Sequence, residues 1–298
     1  MSNFDDMAML FAINNAEEHE NHNIYYERQT RNTENVTDPF TLSDRLFIFV
    51  TLNFLDTGSY QSPIGNSRFM ALSQPTVSRC ISEVVAALNL PEIFNLWVKF
   101  PKNVNELTDI RNGFYRDTGF PGVIGCIDCA HVAITPPSSN LNLDENQHPE
   151  YIYVNRKGYH SINVQLICDS KLKILNVNAL FPGSTHDIHV WNNSSVLPIF
   201  DSGYPLLQWL LTPISNPTTE AEAFYNKRQM STKSVIERCN GVLKMRFRCF
   251  LKDRTLHYKP EKASSIINAC IVLHNMCITN NIELIDEPDI QGLDNTGR

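Results

Sequence analysis

The 298-residue sequence has no long apolar run. Residues 1–30 lack the basic start and apolar core of a secretory signal peptide. No apolar stretch reaches the about 20 residues that a membrane-spanning helix needs. We therefore expect a soluble, intracellular protein with no membrane partner.

The motifs of several other chemistries are also missing. The sequence has no glycine-rich Walker loop, so an ATP-driven mechanism has no support. Its eight cysteines are scattered through apolar segments, which is typical of buried, reduced thiols. Cys126 and Cys129 form one CxxC pair, but a structural zinc site needs four ligands and no second pair exists. A zinc site is therefore not expected.

Basic residues are fewer than acidic ones, but they are concentrated in one segment. The 25 Lys and Arg against 32 Asp and Glu give a net charge of −7, which is unfavourable for a nucleic-acid-binding protein taken as a whole. Residues 225–259, however, hold ten basic and two acidic residues, a net charge of +8. This segment surrounds Glu237, and it predicts phosphate contacts, with Arg238 and Lys244 as candidates. A solvated helix face is the alternative interpretation.

Asp128 ends an apolar run. The segment from Gly122 to Asp128 is rich in β-branched residues and predicts a buried strand that carries the carboxylate at its tip. Backbone amides at a strand end could instead be the only partners of such an acid. Asp128 is nevertheless the strongest single candidate for a functional site.

A second acid, Asp187, follows a predicted pair of strands. Residues 160–169 and 174–180 predict adjacent strands joined by a hairpin turn at 171–173. Proline and glycine at 182 and 183 end the second strand, and Ser184 or Thr185 is expected to cap a helix beginning near Asp187. An acid at a helix N-terminus is also favoured by the helix dipole alone.

Two further acids complete the set. Asp201 follows Ile199 and Phe200 and precedes Gly203 and Pro205, which break regular structure. Glu237 lies 36 positions later on a predicted helix rich in Lys and Arg. Residues 234–237, Ser-Val-Ile-Glu, also match a capping box, which would make Glu237 purely structural. Carboxylate oxygens are the ligands that Mg²⁺ and Mn²⁺ prefer, and two such ions can catalyse phosphodiester cleavage.

Several spaced motifs in one order resemble PIF/Harbinger transposases, and more closely the animal Harbinger transposase-derived nucleases. The resemblance runs from about Phe40 to Cys277. It rests on Gly-Cys-Ile-Asp at 125–128 with His-Val-Ala-Ile at 131–134, Asn-Arg-Lys-Gly-Tyr-His-Ser at 155–161, Pro-Gly-Ser-Thr-His-Asp at 182–187, Asp-Ser-Gly-Tyr-Pro-Leu at 201–206 and Leu-His-Asn at 273–275. The family implies an RNase H-like mixed sheet flanked by helices, with DDE-type, divalent-metal-dependent chemistry on DNA.

The resemblance also implies roles for particular residues. Asp128, Asp201 and Glu237 match the catalytic acids, and all three, with Asp187, match metal ligands. Motifs alone leave open whether Asp187 or Asp201 is the second catalytic acid, although strand order favours Asp201. The cofactor would be Mg²⁺ or Mn²⁺ and the partners DNA and a separate Myb-like DNA-binding protein, with localisation to nucleus and cytoplasm.

A second set of candidate DNA contacts lies in the amino-terminal half. Residues 45–55 predict a helix, Gly58 marks a turn, and residues 72–81 predict the start of another helix with Ser73 as cap and Pro75 in the first turn. Its apolar face would be Val77, Ile81, Val84, Val85 and Leu88. The opposite face carries Gln74, Thr76, Ser78, Arg79 and Ser82. That polar face suits a helix-turn-helix recognition helix, and an amphipathic helix packed on a neighbour is the alternative. Arg156 and Lys157 are further candidate phosphate contacts.

These patterns predict an α/β protein with an N-terminal helical domain. We expect an acidic, partly disordered arm at 1–39, a helix-turn-helix-like domain at 40–100 and a connector at 101–120. A DDE nuclease domain would cover 121–277 and a polar tail 278–298. A domesticated DNA-binding or scaffold protein without turnover is the main alternative function, favoured by the acidic balance and by Pro198 before Asp201. A phosphohydrolase acting on small substrates is the third.

Overall fold

The computed structural model describes residues 42–58, 60–66, 71–137, 149–194 and 211–282. The predictions for Asp201, for the acidic arm at 1–39 and for most of the tail at 278–298 fall outside these residues. Helices and strands both occur in the described ranges, which confirms the mixed α/β class. Among those ranges, no helix is long and apolar enough to cross a bilayer.

Three antiparallel strands form the sheet of the described residues. Strand β1 is Cys126–Ala133, β2 is Ser161–Cys168 and β3 is Ile174–Pro182, with β2 in the centre. Between β2 and β3, Asp169 accepts hydrogen bonds from the backbone N–H groups of Lys171 and Lys173, both at 2.9 Å. The predicted pair of strands and their hairpin turn are therefore confirmed.

Strand β1 begins later than the sequence predicted. It starts at Cys126, so Asp128 is its third residue and not its tip. Gly122 has a φ of +79°, outside the extended region, and a Cβ on Gly125 would lie 2.8 Å from Ile167. The strand continues beyond the acid because residues 129–133 pair with residues 161–165. The predicted position of Asp128 at a strand end was therefore wrong.

The described residues before β1 are mainly helical. Their helices are α1 (Leu42–Thr57), α2 (Gln61–Gly65), α3 (Gln74–Leu88), α4 (Pro91–Trp97) and α5 (Val104–Thr118). Ser73 caps α3 by accepting a hydrogen bond from the Thr76 N–H at 3.4 Å, as predicted. The predicted apolar face of α3 is confirmed, since all five of its members are buried.

Among the described residues after β3, the helices are α6 (Asp187–Asn192), α7 (Glu220–Arg246) and α8 (Pro260–Thr279). A 3₁₀ turn at Glu150–Tyr153 precedes β2, and another at Arg248–Phe250 follows α7. Helix α7 begins with a capping box between Thr219 and Glu222. The capping box predicted at 234–237 was therefore wrong, because those residues lie in the middle of α7.

Helix α8 lies at the centre of the packing. It contacts β3, α3, α4 and α7, and its residues join one hydrophobic core with those of the helices and the sheet. Asn275 of α8 is fully buried. Its amide hydrogen-bonds both backbone groups of Ile174 and the carbonyl of Trp97. One side chain thus fixes the start of β3 and the end of α4 to α8.

Candidate active site

Asp128 is a half-buried carboxylate between β1 and α7. Its Oδ2 accepts a hydrogen bond from Asn240 Nδ2 of α7 at 3.1 Å. The pKa of Asp128 is raised, mainly because burial disfavours the charged form, and the carboxylates of Asp187 and Glu237 raise it further. The Cys129 backbone N–H and the Lys233 charge oppose this but do not cancel it. Asp187 and Glu237 are therefore each close enough to Asp128 to repel its negative charge.

Glu237 lies one turn before Asn240 on α7. Its carboxylate is exposed and lies 3.8 Å from the ammonium group of Lys233. An exposed pair of this kind typically contributes about 0–1 kcal/mol. Residues 233, 237 and 240 follow the i, i+4, i+7 spacing of one helix face. Glu237 therefore shares the face of Asn240 and can exchange Lys233 for another cation at little cost.

Asp187 is the first residue of α6. Its Oδ1 accepts a hydrogen bond at 3.0 Å from the side-chain amide of the fully buried Asn163, which also donates to Thr185 O at 2.9 Å. The helix start near Asp187 is thus confirmed. The predicted cap was wrong, since the N-cap residue is His186 and no side-chain cap bond forms. Asn163 instead holds the turn before the helix.

The Asp128 side chain and Asp187 lie on opposite faces of β1. Cross-strand pairs place His131 beside Asn163 and Cys129 beside Gln165, and Asp187 contacts this face through Asn163. Successive side chains of a strand point to opposite faces, so Asp128 faces away from Cys129 and toward α7. Asp187 still lies close enough to raise the pKa of Asp128 and that of Cys129. In the ranges described, no three His, Cys, Asp or Glu side chains are arranged around one metal position.

The donor atoms nevertheless fit a hard divalent cation. Carboxylate and amide oxygens are the ligands that Mg²⁺ and Mn²⁺ prefer. Asn163 Oδ1 and Gln165 Oε1 are buried without a hydrogen-bond partner. Positive charge would stabilise the buried oxygens that lack partners, and also the Asp128 carboxylate, which the charges of Asp187 and Glu237 repel.

The candidate DNA contacts lie on different elements. Gln74 and Arg79 are exposed on α3 and Thr76 and Ser78 are half-buried; Arg156 and Lys157 are exposed in the loop before β2; Arg238 is exposed and Lys244 half-buried on α7. Burial is the main reason that the pKa of His131 is lowered. The charges of Arg156 and Lys157 are close enough to lower it further. Of this set, Arg156 and Lys157 are therefore near the side of β1 that Asp187 contacts.

Three residues of the site were missed in the sequence. Asn163 and Gln165 interrupt the otherwise apolar β2, and Asn240 follows Glu237 by three positions. Polar residues inside a buried strand are a usable signal, since buried polar groups need partners. The role of Asn240 depends on contact between α7 and β1, which no local pattern predicts.

Comparison with known proteins gives the family. Residues 127–275 match the DDE superfamily endonucleases. The proteins named "Putative nuclease HARBI1" of Rattus norvegicus and Homo sapiens are 36% and 35% identical over 260 residues, which is 83% of this chain and 71% of theirs. "Protein ALP1-like" of Arabidopsis thaliana is 27% identical over 281 residues, 84% of this chain and 64% of its own length. No solved structure matches the chain.

The family match covers β1, the β2–β3 hairpin, α6, α7 and most of α8, and therefore includes Asp128, Asp187 and Glu237. The identity to the animal nucleases extends beyond it to most of the chain. The resemblance seen in the sequence motifs is thus confirmed. The chain belongs to the DDE superfamily endonucleases and, within them, to the Harbinger transposase-derived nucleases.

Proposed function

We propose that the protein is a divalent-metal-dependent, DDE-type endonuclease that hydrolyses DNA phosphodiester bonds. The observation that carries this proposal is the half-buried Asp128, which two further acids, Asp187 and Glu237, approach closely enough to raise its pKa. Asp128, Asp201 and Glu237 are the proposed catalytic acids, with Asp187 as a further ligand. Mg²⁺ or Mn²⁺, when bound, supplies an activated water and stabilises the leaving oxygen.

The remaining residues position these acids. Asn240 donates to one oxygen of Asp128 and so restricts the rotation of this carboxylate. Asn163 does the same for Asp187. Lys233 balances the charge of Glu237 until a cation replaces it.

The family and the three antiparallel strands with Asp128 on β1 support an RNase H-like fold for the nuclease domain, proposed at 121–277. The capped α3, with Gln74 and Arg79 exposed, supports a helix-turn-helix-like domain at 40–100. Both would bind DNA, together with Arg156, Lys157, Arg238 and Lys244. A Myb-like accessory protein, and residence in nucleus and cytoplasm, complete the proposal.

Cleavage of supercoiled and linear duplex DNA by the purified chain, with Mg²⁺ or Mn²⁺, tests the proposal. The wild type should nick DNA, and Glu237→Gln should lose more than roughly 100-fold in rate, since residues that only support metal ligands already account for 10–100-fold. Glu220→Gln, an exposed acid at the start of the same helix, is the matched control and should cleave normally. Equal rates for the two variants would contradict the role of Glu237.

A DNA-binding protein without turnover is the second candidate. It is favoured by one observation: Asp128 and Glu237 already have partners within the chain, Asn240 and Lys233. Salt-dependent DNA binding by a folded protein that never cleaves, with either metal, would select this function.

A further inference from the structure

A cavity away from Asp128 lies between the end of α1, the start of α2 and residues 253–258. Its volume is about 350 Å³, at the lower end of the roughly 300–1,000 Å³ typical of ligand clefts. Gly58 allows two backbone segments to approach closely at the edge of this cavity. It has a φ of +60°, and a Cβ added to it would lie 3.0 Å from Cys249 N and from Arg254 Cβ. None of the proposed catalytic acids that the structure describes lines it.

Aromatic rings form one side of this cavity. Tyr60 is 64% exposed at the rim, and its ring centroid lies 5.0 Å from that of the exposed His257. Below them, Tyr258 accepts a hydrogen bond from Gln61 Nε2 at 2.8 Å and packs edge-on against Phe54. The floor is thus fixed, while the Tyr60 ring offers an open face. An exposed, supported aromatic face is what a planar ring stacks on.

Hydrogen-bonding and charged groups surround the rings. Gln61, Gln74, Asp253 and Arg254 line the same cavity. Amide side chains carry donors and acceptors that match the edge of a base, and a guanidinium matches a phosphate. Gln74 is also the first residue of α3, so the cavity opens beside the proposed DNA-binding helix.

We propose that this cavity binds an unpaired nucleobase of the DNA strand, stacked on Tyr60, with Arg254 on the adjoining phosphate. A base within a duplex has both faces stacked and its edge paired, so only a flipped or single-stranded base can enter the cavity and stack on Tyr60. This inference rests on the proposed action on DNA and adds a strand-recognition site to it.

The fold joins this site to the strand that carries Asp128. Leu256, which lines the cavity, pairs with the chain just after β1: its N–H donates to Ala133 O at 2.9 Å and its carbonyl accepts from the Thr135 N–H at 3.1 Å. From Asp128 to Ile134 the chain advances six residues, which is about 20 Å at ~3.4 Å per residue. The base site therefore lies beside the far end of the strand that carries Asp128, where one DNA strand could contact both.

The test measures binding of a single-stranded oligonucleotide that carries 2-aminopurine, whose fluorescence is quenched on stacking, without divalent metal. Tyr60→Ala should weaken binding roughly 5- to 150-fold, the effect of removing one base-stacking aromatic. Tyr60→Phe keeps the ring and should bind like wild type. Tyr115→Ala, on α5 and 61% exposed, is the matched control and should also bind normally. All three variants are tested in the full chain, with circular dichroism to confirm folding.

Tyr60→Ala binding as tightly as Tyr115→Ala would overturn the proposal. So would competition by free adenosine monophosphate as effective as competition by the oligonucleotide, since the site would then recognise a nucleotide and not a strand. The nuclease proposal fails separately. If the protein cleaves DNA but its oligonucleotide binding does not depend on Tyr60, only the proposed base site is refuted. If quenching depends on Tyr60 but neither metal supports cleavage, only the nuclease proposal is refuted.

Discussion

Replacing Asn275 with alanine should destabilise the protein several times more than an average single substitution does. The side-chain amide accepts from the Ile174 N–H at 2.8 Å and donates to Ile174 O at 2.7 Å and to Trp97 O at 2.9 Å. Asn275 is 0% exposed, so water cannot replace it without opening the core. Asn275→Ala therefore leaves three buried backbone groups unpaired.

The magnitude follows from these three bonds. Each hydrogen bond contributes about 0.5–1.5 kcal/mol net, and each buried group left unsatisfied costs about 1–3 kcal/mol. We expect Asn275→Ala to lower the free energy of unfolding by about 3–5 kcal/mol, against about 1 kcal/mol for an average substitution. Asn268→Ala is the matched control on α8, because its amide makes one part-buried bond, to Asn89 Oδ1 at 3.2 Å. It should cost about 1 kcal/mol.

Urea denaturation followed by circular dichroism and tryptophan fluorescence measures both variants. An Asn275→Ala loss no larger than that of Asn268→Ala would refute the reasoning, since it would mean that the three backbone groups find other partners.

Three further predictions concern the site. Burial raises the pKa of Asp128 in the folded chain, so without metal the contribution of Asp128 to stability falls as pH rises from the ordinary pKa of 3.8 through the raised folded value. The unfolding free energy of Asp128→Asn should therefore gain on that of the wild type across this pH window. Parallel pH profiles for the two proteins would contradict this prediction. Gly183→Ala places a Cβ against Ser161 Oγ and 2.5 Å from Tyr153 O. This overpacking should lower the free energy of unfolding by about 1–3 kcal/mol, which thermal unfolding measures. An unchanged melting temperature would contradict the prediction. Asn240→Ala deletes the hydrogen bond to Asp128 and should raise the Mn²⁺ concentration needed for cleavage by about 10–100-fold. An unchanged Mn²⁺ titration would show that Asn240 does not position Asp128.

The sequence alone determined the features that depend on neighbouring residues. The β2–β3 hairpin follows from two β-rich runs around a short turn, and the start of α3 follows from Ser73 and Pro75. The family was also evident, because its motifs are short, ordered and local. The assignment of Asp201 stays a prediction, since that residue lies outside the described part of the chain.

Tertiary structure decided how these pieces meet. Asp128 lies inside β1 because residues 129–133 find partners on β2, a pairing across more than 25 positions that no local run encodes. Glu237 lies in mid-helix because the capping box of α7 forms earlier, at Thr219 and Glu222, where the chain leaves extended structure. Asn240, Asn163 and Asn275 acquire their roles from contacts between elements distant in sequence. Side-chain chemistry is local, but the partner that a buried polar group finds depends on packing, and packing is a property of the whole fold.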